Sequence, residues 1–160
     1  TTEFMSLTKG FGIINHTFDH YAPVVAGKVG GRHQGVLVSM ENGKATTYGM
    51  MGVEDRGTLF IEPGTEVYEG MSVGENTRDA DITVNITKQK QKTNIRSANK
   101  DQTNVIKKPR ILTLEEALEY LSDDEYLEVT PESIRLRKQI LDKGERERVA
   151  KKKKFAELEN

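Results

Sequence analysis

His16, Asp19 and His20 are the residues here whose types could hold a metal ion and hydrolyse a substrate, with His33 a short way on. Zinc needs three or four ligands converging on one point, with supporting partners. On an extended strand His16 and His20 share a face but stand about 13 Å apart, too far to share an ion unless the chain turns. The spacing favours strand-end hydrogen bonding, and a metal-dependent hydrolase using His16, Asp19 and His20 stands as the enzymatic alternative. Gly43-Lys44 comes nearest to a phosphate loop. Val38 fills the earlier glycine position and Ala45 follows the lysine, so the required pattern is absent. Asp19, Asp55, Asp79 and Asp81 lie near turns, where Asp serves as a local backbone acceptor. No Ser or Thr stands in a strand-turn-helix elbow. The chain has no cysteine, which excludes a disulfide framework, a thiol nucleophile and a Cys-based zinc site, and fits a reducing compartment.

The strongest chemical signal is charge. Asn85 to Arg110 carries Lys88, Lys90, Lys92, Arg96, Lys100, Lys107, Lys108 and Arg110 against one acid, Asp101. The whole chain has 24 Lys+Arg, 25 Asp+Glu and a net charge of −1, so one segment concentrates positive charge while the remainder is net acidic. Ile95 is the only large apolar side chain between Lys88 and Asn104. Such a segment cannot bury enough surface to offset its ordering entropy, and residues 88–103 are expected to form a mobile loop that orders on a polyanion. Thr93, Asn94 and Ser97 can donate to phosphate, ribose or base edges. No Phe, Tyr or Trp interrupts the loop, so base stacking would not dominate. Arg96 and Arg110 could clamp phosphates in bidentate fashion. A solvated linker is the alternative to RNA binding.

These residues need elements to position them. A length of 160 residues allows one domain plus a fragment of another. Thr1 to Lys9 reads as the end of a helix, and Phe11 to Phe18 as a strand. The glycines and Pro23 of Asp19 to Arg32 mark a boundary. Gln34 to Met40 alternates as a strand, with Val36, Val38 and Met40 on one face. Glu41-Asn42-Gly43-Lys44 predicts a hairpin returning through Ala45 to Met51. Thr58–Ile61, Glu66–Tyr68, Met71–Gly74, Asp81–Thr87 and Tyr126–Val129 read as further short strands, which suggests a small barrel or strongly bent sheet. Thr113 and Glu116 form a capping box for a helix striped by Leu114, Ala117, Leu118 and Leu121. Asp123-Asp124-Glu125 at its end opposes the helix dipole and needs another reason. Thr130-Pro131-Glu132 predicts a second helix, with Ile134, Leu136, Ile140 and Leu141 as its apolar content and Gly144 as its end. Lys151 to Lys154 begins a charged tail. No apolar run approaches a membrane span and no signal-peptide pattern opens the chain, so a cytoplasmic protein is expected. The opening Thr1-Thr2-Glu3-Phe4 reads as an internal start, within a longer protein.

Long strings carry a resemblance. NHTFDHY at 15–21, GVLVSMENGKAT at 35–46, DRGTLFIEPGTEVYEGMSVGE at 55–75, ITVNITKQKQKTNIRS at 82–97 and LEEALEYLSDDEYLEVTPESIRLRK at 114–138 resemble the carboxyl-terminal part of the TypA/BipA family of translational GTPases. EPGTEVYEGM and KDQTNV are similar to its bacillus-type branch. The resemblance implies an α+β fold. Residues 1–26 would end a ferredoxin-like, elongation-factor-G-like domain V. Residues 27–143 would form the family-specific C-terminal domain, a small β-barrel-like unit with two or three helices, and 144–160 would be a charged tail to which nothing carries over. The G domain lies outside this chain, so GTP and magnesium belong to the parent and this chain alone is expected to lack cofactor and catalysis.

The resemblance also implies partners: the ribosome, large-subunit ribosomal RNA and A-site tRNA, bound by a monomer with no membrane role, within a stress-response setting. In the family an extended loop reaches toward the tRNA acceptor end and the peptidyl-transferase centre. Lys90, Lys92, Thr93, Asn94, Arg96 and Ser97 match that loop, with Lys88 and Lys100 beside them, and Lys107, Lys108 and Arg110 extend its charge. Arg135, Arg137 and Lys138 match the SIRLRK segment and are further RNA-binding candidates, unless they meet Asp123 to Glu125 instead. A protein-interaction module working through the acidic surface is the remaining alternative.

Overall fold

The computed structural model describes residues 4, 8, 11–24, 32–90 and 106–158. Its centre is a six-stranded mixed sheet. Strands β1 (Val36–Ser39), β3 (Gly57–Leu59), β5 (Met71–Asn76), β6 (Ile82–Val84), β7 (Glu125–Val129) and β8 (Ile134–Lys138) build it, and β2 (Gly43–Lys44) pairs with β4 (Glu66–Val67) apart from it. β5 organises the sheet. One edge pairs with β1, while β8 takes Met71 and Ser72 of the other edge and β3 takes Gly74 to Asn76. β1 also pairs in parallel with β6, and β8 pairs antiparallel with β7. The register shifts between Leu37 and Val38, a bulge that sharpens the local bend. β6 and β7 end the strand order without meeting, so the α+β class holds while the sheet stays open.

Alternation sorts the core onto both faces. Leu37, Met71, Val73 and Val84 point to one side, where they pack with Met50, Leu59, Ile61, Val67 and Ile86. Val36, Val38 and Leu136 point to the other, against Phe60 and Tyr120. The rings of Phe60 and Tyr120 meet edge to face at 5.3 Å. Helix α1 (Thr47–Met51) supplies Met50 to the first face, and helix α2 (Leu114–Tyr120) supplies Tyr120 to the second. The expected capping box forms in full at Thr113 and Glu116.

Four local expectations give way to tertiary context. The Asn42-Gly43 hairpin does not form, because β5 and β6 occupy both edges of β1 and leave no place for a returning strand. Gly43 and Lys44 turn aside to β4, and Thr46 caps α1 where the return strand was expected. Met40 leaves the Val36 and Val38 face and is exposed. The SIRLRK segment is strand β8, not a helix: Leu136 and Lys138 are both buried, a period of two. Thr130 caps a turn instead of a helix. Its hydroxyl accepts from the Ser133 backbone N–H at 3.0 Å, closing the β7–β8 hairpin. The third helix, α3 (Lys143–Leu158), runs through Gly144 and the expected tail. The Asp142 carboxylate accepts from the Glu145 N–H at 2.7 Å and caps its start.

Residues 11–24 adopt no regular element, although a strand was expected at Phe11–Phe18. No described strand lies beside them, and Phe11, Ile13, Phe18, Tyr21 and Val24 are exposed. The helix expected at Thr1–Lys9 falls outside the described residues except at Phe4 and Thr8, and the glycines of the expected boundary at 27–31 also fall outside. No helix among the described residues is long and apolar enough to cross a membrane.

Candidate nucleic-acid interface

The two feet of the basic loop are anchored by different means. At the outgoing foot Ile86 is fully buried, and its carbonyl accepts from the Thr46 N–H at 2.9 Å. The Thr46 hydroxyl donates to the Lys88 carbonyl while accepting from Gly49 N–H. Gly49 is required by space: a Cβ there would stand 2.4 Å from the Ile86 carbonyl oxygen. At the returning foot Ile106 packs on the first core cluster. The Lys107 N–H donates to the Glu54 carboxylate at 2.5 Å, and the Arg110 N–H to the Leu59 carbonyl at 2.8 Å. The folded body therefore holds both ends of the segment between Lys90 and Ile106.

Lys88, Lys90, Lys107 and Lys108 are exposed at these feet, with no ion pair among the described residues. Arg110 is 3.9 Å from Glu116, with 42% of its side chain exposed. Lys92, Thr93, Asn94, Arg96, Ser97 and Lys100 lie outside the described residues, as does most of the segment expected to be mobile.

The cations of β8 are placed differently. Lys138 Nζ is 2.6 Å from Asp81, 2.8 Å from Asp124 and 3.1 Å from Glu125, with 3% of its side chain exposed. Arg32 forms a bidentate pair with Glu125 at 2.9 and 3.0 Å and lies over the Tyr120 ring. Glu125 is fully buried between the two cations and also accepts from the Ser122 N–H. Asp81 reaches further, accepting from the Val36 N–H at 2.8 Å. Burial works against the charge of Lys138, but the hydrogen bonds to Asp124 and Asp81 and the charge of Glu125 outweigh it and raise its pKa. Burial likewise opposes the Arg32 charge, and Glu125 raises its pKa on balance. Asp124 and Glu125 thus have their reason in Lys138 and Arg32. Arg32 stands 93 residues from Glu125, beyond any local sequence signal.

Arg137 donates from Nε to Glu128 at 2.6 Å and its guanidinium lies 5.0 Å from the Tyr126 ring centre. The Tyr68 hydroxyl donates to the other Glu128 oxygen at 2.6 Å. That bond lowers the Glu128 pKa most, against partial burial and with help from Arg137 and Arg135. Burial and the same bond push Tyr68 up. Arg135 is half-buried on the same side. The SIRLRK candidates therefore separate: Lys138 is built into the fold, Arg137 is held by Glu128, and Arg135 carries the least constraint.

The histidines build little. His20 Nδ1 and the Asp19 carboxylate are 2.7 Å apart in the open. Among the described residues no three His, Asp or Glu groups converge as metal ligands.

Comparison with known proteins agrees with this architecture. The sequence profile of the TypA/BipA C-terminal domain matches residues 34–143. The "Large ribosomal subunit assembly factor BipA" of Bacillus subtilis is 72% identical over 99% of this chain. The proteins of the same name are 46% identical over 92% of it in Escherichia coli K12 and 50% identical over 85% in a Synechocystis species. This chain spans 26%, 24% and 23% of those three relatives, about a quarter of each. With a profile match across the whole sheet and relatives of this identity, the chain belongs to the TypA/BipA C-terminal domain family.

Proposed function

We propose that this chain is a ribosome-binding module, with no chemistry of its own, that places the basic loop on RNA of the large subunit. The observation that carries the reading is the pair of loop feet. The fold fastens both ends of a cationic segment yet leaves Lys88, Lys90, Lys107 and Lys108 without counter-charges among the described residues. Lysines that stabilise the domain are paired, as Lys138 is. Lysines left bare beside a polar loop are placed for phosphate. The relatives are named as large-subunit assembly factors, and ribosomal RNA is the polyanion such a factor meets.

In the finer reading, Lys90, Lys92, Thr93, Asn94, Arg96 and Ser97 reach the acceptor end of A-site tRNA near the peptidyl-transferase centre, with Lys100, Arg110 and Arg135 giving secondary contacts. GTP and magnesium act in the parent, in the cytoplasm, and the module works as a monomer. Co-sedimentation with ribosomes across a salt series tests this. Replacing Lys90, Lys92 and Arg96 together with Ala is expected to weaken binding and flatten the log–log salt slope by about 0.7 for each single-stranded phosphate no longer neutralised. Unchanged binding at every salt concentration would reduce the loop to a linker.

A further inference from the structure

Helix α3 occupies the stretch expected to be a charged tail, and it has two unlike sides. Lys143, Arg146, Val149 and Ala150 line a cleft shared with Val38, Ile82 and Thr83 of the sheet. Arg146 donates to the carbonyls of Ile140 and Leu141, fixing the start of the helix to the body. At about 100° per residue, Arg148, Lys151, Lys152 and Phe155 fall within an arc of about 100° on the side away from Val149 and Ala150. All four are exposed, Phe155 by 67%. The three cations have no ion pair among the described residues. The phenyl ring lies near the middle of the cationic arc, in the position a base-stacking group would take.

We infer that this outward face of α3 is a second RNA-binding surface, taking single-stranded RNA with Phe155 stacked on a base and Arg148, Lys151 and Lys152 on the flanking phosphates. The basic loop contains no aromatic residue, so α3 supplies the stacking platform that the loop lacks. A bilayer fits the face poorly. A membrane-surface helix buries a broad apolar stripe opposite its cations, whereas Val149 lines the cleft and Phe155 is the one apolar group among the described side chains of the cationic arc. The inference shares its class of partner with the loop reading but rests on different residues.

The full 160-residue chain is titrated with a labelled twelve-nucleotide oligouridine, and in parallel with phosphatidylglycerol vesicles. Phe155→Ala is expected to weaken oligouridine binding about tenfold, with Phe155→Trp retaining it. Arg148, Lys151 and Lys152 replaced together by Ala, a strong helix former, should flatten the salt slope. Helical ellipticity that matches the parent separates a weakened RNA interface from an unfolded helix. Phe155→Ala binding RNA like the parent overturns the inference, and so does a Phe155-dependent response to vesicles with none to RNA. The loop triple variant, titrated beside these, tells the two readings apart. Weakening of oligouridine binding confined to the loop variant overturns the α3 inference, while the loop reading stands or falls on ribosome co-sedimentation of the same variant.

Discussion

Two short runs of cations in this domain look alike in sequence and are placed differently by the fold. Lys107-Lys108-Pro-Arg110 and Arg135-Leu-Arg137-Lys138 each place three positive charges within four residues. The first run rises from the body at the foot of the loop with its lysines in solvent. The second is strand β8, with Lys138 inside a ring of three carboxylates and Arg137 on Glu128. Charge density therefore does not identify a binding surface. What separates the two runs is the charge left over after the fold has met its own needs, and only tertiary structure provides that remainder.

The largest expected effect belongs to Lys138→Met. It leaves Glu125, fully buried, with Arg32 alone, and leaves Asp81 and Asp124 facing each other without a cation. Removing one partner from a buried ion pair costs about 3–5 kcal/mol. Asp81 and Asp124 are partly exposed and can turn to water, so the lower end, about 3 kcal/mol by urea unfolding, is expected. The pKa of Lys138 is raised on folding. Its contribution is therefore fully present below the unfolded lysine value of about 10.4 and is lost only as pH rises through the higher folded value. The gap between parent and variant should stay level from neutral pH to about pH 10 and close above it. A gap that shrinks near pH 8 would mean that Lys138 is not buried among these carboxylates.

Glu128→Gln probes the half-way case, a carboxylate at the edge of the same strand pair. It removes the charge facing Arg137 while keeping an oxygen for the Tyr68 hydroxyl. The side chain is about a third exposed, so solvent screening holds the expected loss to about 1 kcal/mol or less at pH 7. The Glu128 pKa is lowered on folding. Its stabilisation is present above the unfolded value of about 4.3 and fades as pH falls through the lower folded value. Parent and variant should converge there, and equal stability at pH 7 would place Arg137 with the free cations.

The contrast also shows what could be read beforehand. Helix α2 was legible because a capping box and an apolar stripe are local, whereas most of the stretch read from its composition as a loop, residues 91–103, lies outside the described residues. β8 was misread because Ile134, Leu136, Ile140 and Leu141 join a strand pattern to the residues after it, and Thr130 can cap a turn as well as a helix. The Asn42-Gly43 signal failed because what decides it, β5 and β6 on both edges of β1, lies well downstream in the chain. Arg32 was missed for the same reason. Its partner Glu125 is distant in sequence, and nothing near Arg32 announces it.

The smallest expected effect on stability belongs to the first run, and it completes the test. Lys107→Ala with Lys108→Ala removes two charges, twice what Lys138→Met removes. Neither side chain has an ion pair among the described residues, and the bond that fixes this foot uses the Lys107 backbone N–H, which alanine keeps. Unfolding should shift by about 0.5 kcal/mol or less. Glu54 and Asp55 stand close by, so part of the local field favours the lysines, which limits any gain in stability from removing them. Ribosome co-sedimentation should nonetheless weaken, with a shallower salt dependence, because bare charge near phosphate acts through released counterions. A double variant as destabilised as Lys138→Met would show that these lysines also serve the fold. One that is stable and binds like the parent at every salt concentration would confine the interface to residues beyond Lys90 or to α3.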